Sequence, residues 1–496
     1  MLSFLQLMRL LSTLIALIAS ATCSTNSEDP FNFRALFSPG TTLSSEANVY
    51  LPGDAAYSST NERWSELQSP SYAAAIQPAT EEDVAYIVRT AVANNISFLA
   101  TGSAHSVKPG YTSIRDGINI DLRLLNDLSI DHTGETVTVG AGVTNDPVYN
   151  AVYGVQKEVP ITTERCLSTI GTMVGGGLGV MQTIHGCLAD SLISARVVTA
   201  TGEILTVSQA SHPDLFWAIR GAGANFGIVV SATFQLYDQT NGGRSLDYSF
   251  LFSHDQAGSV FELMHSLDDV RGTGAFWSIW ARYNHTTKEA TLTLRLIVLG
   301  NEADAKPHVR SAQALNPRSE SVIHRAWNTY GEPTDELCGH GWNAEMWNSG
   351  LERTDVPVLV EMWNEYVAFA AEREWFNGFW LFERDTYEGL NEVPEDRRGV
   401  GYPWRDTVAY LGFINYIDDA RYEDEVHAFI RPLRERLQET MGYEQRRAYV
   451  GEAYGDEGPA VWYGAHNLPR LVALKQQWDP EARFGAGMPV PLSLDE

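Results

Sequence analysis

Residues 99–110 read LATGSAHSVKPG, a loop of Gly, Ala and Ser with one imidazole, His105, set among them. Small residues let a backbone turn sharply or approach a partner closely, so the bulky side chain is what needs a reason. Three roles stand open here: an ordinary polar loop residue, a metal ligand, or a point of attachment for a cofactor. The segment leading in, ISFLATG (96–102), reads as a buried strand. Ahead of it, AAAIQP (73–78) is a short apolar run. Thr80 then caps a helix with Asp83 three residues on, and Val84, Ile87, Val88 and Ala91 mark its buried face.

Downstream the pattern stays strand-rich. GINIDLRLLNDLSIDHTGETVTVGAG (117–142) predicts two or three short strands around a Thr-Gly turn. LISARVVTATGEILTV (192–207) reads as a hairpin turning at Thr201-Gly202, and FGIVVSATFQLY (226–237) is rich in β-branched and aromatic residues. DQTNGGRS (238–245) is a polar, Gly-containing linker and a candidate domain boundary. Beyond it, strands such as ATLTLRLIVL (290–299) mix with helical stretches such as EDEVHAFIRPLRERLQ (423–438). Trp277, Trp280, Trp327, Trp342, Trp347, Trp363, Trp375 and Trp380 fall in this half, either filling a core or lining a pocket for a flat or carbohydrate ligand.

The chain of 496 residues is long enough for two or three domains. A formal charge of −27 argues against nucleic acid and anionic membrane surfaces as partners, because both want a basic face. At the N-terminus Arg9 precedes a short apolar run, Leu10–Ile18, followed by Ala19-Ser20-Ala21. That layout predicts a secretory signal peptide over residues 1–21, the alternative being a rather short membrane anchor. Asn95-Ile96-Ser97 and Asn284-His285-Thr286 are candidate N-glycan acceptors in the same compartment. The four cysteines, Cys23, Cys166, Cys187 and Cys338, have no zinc-like spacing; they make no disulfide framework, though one bridge is permitted. No metal site is expected.

Three Gly-rich segments stand beside strand-like sequence: ATGSAHS (100–106), STIGTMVGGGLG (168–179) and RGAGANFGIVV (220–230). Close-set glycines let backbone N–H groups converge on an anion such as a pyrophosphate, which makes a dinucleotide the leading ligand. None fits the G-x-G-x-x-G fingerprint, and no nucleophile elbow, Walker loop or H-E-x-x-H occurs.

The order of the segments decides among the remaining readings. ATGSAHS, INIDLRLLNDLSID, VTVGAGVTNDPVYNAV, GGGLG, HPDLFWAIRGAGANFGIVVSATFQLY and YGAHNLPRLVALKQQWDPEARF follow one another along the chain. The series resembles the FAD-linked oxidases of the PCMH-type (vanillyl-alcohol-oxidase-like) superfamily, berberine-bridge-enzyme-like branch, over roughly residues 70–240 and 446–485. Its C-terminal part is similar to fungal secreted members, many of which serve secondary metabolism. The resemblance implies an α+β fold: a two-subdomain PCMH-type FAD-binding domain over 68–240, an antiparallel-sheet substrate domain flanked by helices over 241–445, and a segment, 446–496, returning to the FAD domain.

It further implies FAD bonded covalently through His105. Gly102, Ser103, Ala104 and Ser106 would wrap the pyrophosphate, Gly175, Gly176 and Gly177 would continue the cradle, and Gly227 and Ile228 would lie against the flavin. Covalent attachment through an imidazole raises the flavin's reduction potential and keeps the cofactor from being lost outside the cell; the protein's own part is positioning and electronic tuning. Cys166 is the candidate for a second flavin bond known in some relatives, although CLSTIGTMVGGG is two residues shorter than the usual spacing and lacks the C-P-x-V-G sequence; the alternative is a buried small residue. Where relatives often have Y-x-N-Y, this chain has Tyr449-Val450-Gly451-Glu452, and Ser191 replaces a common Asn after Asp190.

The implied reaction is hydride transfer from a small-molecule alcohol, amine or activated C–H to flavin, with O2 as acceptor and H2O2 as product. Tyr449, Glu452 and Tyr454 are the candidate bases, being carried by the returning segment. A carbohydrate oxidase, and a flavoprotein whose pocket templates a cyclisation, are the competing readings.

Overall fold

The computed structural model describes residues 31–270, 272, 274–385, 388–394 and 402–495; the expected signal peptide lies outside them. Phe37–Glu496 forms one compact unit, and all that follows concerns it.

Strands β1 (Asn48–Tyr50), β2 (Tyr72–Gln77), β3 (Phe98–Thr101) and β4 (Gly117–Asp121) make a sheet of order β1-β2-β4-β3. The helix Glu81–Ala93 joins β2 to β3 and starts on the expected capping box, Thr80 with Asp83, burying Val84, Ile87, Val88 and Ala91. That crossover returns β3 parallel to β4, so the loop after β3, which carries His105, leaves from the carboxyl end of the strands.

A second sheet of order β5-β6-β10-β8-β9 is built from β5 (Leu128–Ile130), β6 (Thr136–Gly140), β8 (Leu192–Val198), β9 (Ile204–Ser208) and β10 (Ile228–Gln235). The Thr201-Gly202 hairpin forms as the sequence predicts, with β8 antiparallel to β9. β7 (Lys157–Glu158) pairs with β11 (Tyr237–Asp238).

From Arg244 onward the chain forms one antiparallel sheet: β12 (Arg244–Ser253), β13 (Ala275–Asn284), β14 (Glu289–Val298), β15 (Ser319–Ala326), β16 (Ala344–Leu351), β17 (Phe376–Asp385) and β18 (Ala409–Ile417), in the order β15-β12-β14-β13-β17-β18-β16. The period of two along each strand splits its side chains between two faces. Trp277, Ile279, Trp347, Trp380, Leu411 and Phe413 share a core with the helices Ala257–Ser266, Val356–Ala371 and Glu423–Met441. Their neighbours Trp280, Met346, Phe379, Leu381, Ile414 and Tyr416 face the other way, in a smaller cluster with Trp64, Trp342 and Val107.

The tryptophans therefore fall into two groups. Trp277, Trp327, Trp347, Trp363 and Trp380 are buried, and Trp375 packs against the rim of the main core. Trp280 and Trp342 stand on the face that meets the His105 loop through Val107.

Candidate active site

The His105 loop is tied down on every side. Ala104 sits at φ +55°, a left-handed conformation uncommon for a residue with a Cβ. His105 Nδ1 donates to the Ser103 carbonyl at 2.8 Å. Ser103 Oγ accepts from the Ser168 N–H at 2.9 Å, and Arg63 donates to the Ser106 carbonyl at 2.7 Å while its guanidinium lies over the Tyr111 ring. Gly102 is required by close approach, since a Cβ there would stand 2.7 Å from the Ser168 side chain. Burial, with the nearby His340 acting in the same sense, pulls the His105 imidazole down to about 4, so it is uncharged at neutral pH.

With Nδ1 bonded to a backbone carbonyl, His105 Nε2 is buried and makes no hydrogen bond of regular geometry, although the Cys338 backbone also acts on the imidazole. A buried polar atom so placed calls for a partner, and an uncharged imidazole nitrogen suits a covalent bond to a flavin methyl. The residues present fit the group.

Segment 338–342, between β15 and β16, lies against the same loop. His340 Nε2 donates to the Ser103 carbonyl at 2.9 Å, and its ring meets His105 edge-on, centroids 4.7 Å apart. Backbone bonds knit the segments together: Trp64 N–H to Ala104 O, Trp342 N–H to Trp64 O and Gly341 N–H to Arg63 O. Two residues before His340, Cys338 is disulfide-bonded to Cys166. This corrects both readings of Cys166: its sulfur is engaged in the one bridge the cysteine count allowed, so it supplies no second flavin bond, and it is not a free buried residue. Cys187 is the buried free thiol among the described residues.

The Gly-rich cradle meets the C-terminal segment. Gly177 adopts φ +76°, and the next N–H, of Leu178, donates to the Tyr449 hydroxyl at 3.3 Å. Asn348 on β16 bonds the segment twice, its Oδ1 accepting from Tyr449 N–H at 3.2 Å and its Nδ2 donating to Glu452 Oε2 at 3.0 Å. Lys108, three residues past His105, is buried with its ammonium on the Gly451 and Ala453 carbonyls. Burial pulls it down to about 8, against the pull of Glu457 and Glu452. Burial first, then the neighbouring Glu164, pushes the Glu452 carboxyl up to about 7. The Tyr449 hydroxyl is driven well up, chiefly by burial.

Tyr454 belongs elsewhere. Its ring stacks on Trp347 at 3.8 Å, and its hydroxyl meets His427 Nε2 and Gln68 Nε2 at 3.2 and 2.9 Å. That network runs under the helix-covered face of the large sheet, opposite to Asn348. Gly227 and Ile228 lie at the start of β10 against β8; a Cβ on Gly227 would meet Val198 O at 2.6 Å, so strand packing alone demands the glycine. Asp190 pairs with Arg405 at 2.6 Å. Sequence reading missed Lys108, His340 and Asn348. His340 carried a signal, since CGHGW (338–342) repeats the theme of a lone imidazole among small residues; Lys108 and Asn348 carried none.

The family model described as FAD binding domain matches residues 72–208, and the one described as berberine and berberine like matches 448–491. The FAD-linked oxidoreductase fmqD of Aspergillus fumigatus is 44% identical over 471 residues, 94% of each chain. The chain belongs to the berberine-bridge-enzyme-like FAD-linked oxidoreductases. A second relative of this oxidoreductase, tazL of Aspergillus terreus, is 36% identical across 98% of this chain and 99% of its own. The PCMH-type α+β fold is shared with BBE-like 1 of Physcomitrella patens (TM-score 0.79, 19% identity, 90% of this chain and 97% of that one). It is shared too with a xylooligosaccharide oxidase of Myceliophthora thermophila (0.77, 20%, 90% and 97%). It is shared as well with the glucooligosaccharide oxidase of Acremonium strictum (0.76, 18%, 90% and 98%), which carries a 6-S-cysteinyl, 8α-N1-histidyl FAD. The oxidoreductase is an FAD enzyme, and no described helix is long and apolar enough to cross a membrane.

Proposed function

We propose that the oxidoreductase is a secreted oxidase of a small molecule, of the secondary-metabolite type, carrying a C–H beside an O–H or N–H, with FAD held by one covalent bond through His105. The observation that carries this reading is the open, buried Nε2 of an uncharged His105, in a loop joined through Lys108 to the segment bearing Glu452. The backbone of Gly102, Ser103, Ala104 and Ser106, with Gly175, Gly176 and Gly177, would hold the pyrophosphate, and Gly227 and Ile228 would stand behind the flavin. Bound there, FAD supplies a two-electron acceptor that O2 reoxidises with release of H2O2.

Glu452 is the base in this reading. A group near pH 7 is matched to taking a proton at neutral pH, whereas Tyr449 and Tyr454 are both pushed well up, mainly by burial. Asn348 orients the carboxylate and Lys108 favours its charged form. The substrate would lie over the face carrying Trp280, Leu381 and Asn348, which has an aromatic end and a polar one.

The domain limits 68–240, 241–445 and 446–496 find support in the large sheet beginning at Arg244. Secretion is supported by the disulfide and by the exposure of Asn95 and Asn284, where N-glycans would attach. An oligosaccharide oxidase is the weaker reading, since Cys166 has no sulfur to give to a double linkage.

Purified protein should be yellow, absorbing near ~450 nm, and the colour should stay in the acid-precipitated pellet. H105A should release its flavin to the supernatant. Peroxide release measured across alcohols, amines, alkaloids and sugars separates the substrate classes, and turnover without peroxide would replace the oxidase reading with the cyclisation template.

A further inference from the structure

Outside the groups already assigned, one half-buried polar arrangement touches the tether loop itself. The Ser103 carbonyl accepts two imidazole N–H groups, His105 Nδ1 at 2.8 Å and His340 Nε2 at 2.9 Å. A carbonyl oxygen has only lone pairs to offer, so both nitrogens carry hydrogen, and each ring's orientation is set through the same oxygen. The rings also meet edge to face, at 77° between planes. His340 is held from behind by the disulfide two residues away and by the Gly341 and Trp342 N–H bonds to Arg63 and Trp64. The far end of that disulfide, Cys166, lies two residues before Ser168, whose N–H holds Ser103 Oγ at 2.9 Å. The two cysteine-bearing segments thus grip the loop from opposite sides.

We propose that His340 is a positioning residue for formation of the flavin tether: it holds the Ser103 carbonyl and the edge of the His105 ring so that the imidazole presents one nitrogen to the flavin methyl. This rests on the tether reading above. In the step it serves, an imidazole N–H and a methyl C–H are lost and an N–C bond forms. The electron pair and two protons pass in the end to dioxygen, which leaves as hydrogen peroxide. The reacting atoms are those of His105 and the cofactor, and His340 acts only through its hold on His105. Positioning by a rigid shell matters here because about 1 Å of displacement is enough to slow a reaction a hundredfold.

The test is the fraction of total flavin that stays with acid-precipitated protein, measured on purified wild type, H340A and H340Q, with thermal melting as a control on folding. H340A should lose at least tenfold in covalent fraction while still binding FAD that acid releases. H340Q, whose amide N–H can donate to the Ser103 carbonyl, should recover most of it. A wild-type covalent fraction in H340A overturns the role of His340 and leaves the tether standing. An H340Q protein as poor in tether as H340A overturns it as well, since packing rather than the shared hydrogen bond would then decide. Absence of covalent flavin from the wild type refutes the tether reading itself.

Discussion

At the residue scale, Glu452 and Lys108 make the sharpest case for chemistry built by environment. The carboxyl is raised to about 7, first by burial and second by Glu164, and is held down in part by Lys108. A raised carboxyl is protonated below that value and ionised above it, so activity that needs the base should rise as pH climbs through about 7. E452Q should lose this limb and about 10²–10⁴ in kcat/KM, which a pH–rate profile reads directly. Lys108→Met removes a positive charge that favours the carboxylate, so the limb should move to higher pH; a shift to lower pH would contradict the assignment. Sequence reading named Tyr449, Glu452 and Tyr454 as equals. What separates them is side-chain direction within six residues of chain: the Tyr449 hydroxyl meets the Leu178 N–H and the Glu452 carboxylate meets Asn348, while Tyr454 turns into the Trp347–His427 network.

The elements were legible to the extent that their signals are local. The capping box at Thr80 and the hairpin at Thr201-Gly202 depend on residues a few positions apart, and both form where the patterns put them. The Cys166–Cys338 bridge was not legible, because its partners are 172 residues apart and nothing in spacing couples them. A bridge closing so long a loop restricts the unfolded chain strongly. Replacing both cysteines with serine should cost about 2–5 kcal/mol of stability in denaturant titrations under oxidising conditions. The same variant should loosen segment 338–342 and lower the covalent flavin fraction, whereas C187S should leave that fraction unchanged.

For the whole molecule, the large sheet works as a partition. Its helix-covered face buries Trp277, Trp347, Trp363 and Trp380, and its other face presents Trp280, Phe379 and Tyr416 toward the loop of the FAD-binding half that carries Val107. Trp280 and Phe379 stack with centroids 5.1 Å apart. Removing one ring from such a pair forfeits about 0.5–1.5 kcal/mol. W280A should therefore lower the melting temperature modestly and, with a comparable stacking loss against the substrate, raise KM about two- to tenfold in steady-state assays once a substrate is in hand, with kcat little changed. An unaltered KM would place the substrate away from this face.

The sequence by itself determined the order of the Gly-rich loops and set His105 as the imidazole among them, because these are local patterns of small residues next to strands; the FAD chemistry followed from the family resemblance which that order carries. Tertiary structure decided the rest: that Cys166 closes a bridge instead of binding flavin, that His340 shares a carbonyl with His105, and that Asn348 and Lys108 converge on Glu452. Those contacts join residues up to 345 positions apart. Their energies come from burial and charge neighbours, which exist only once the chain has brought the three segments together.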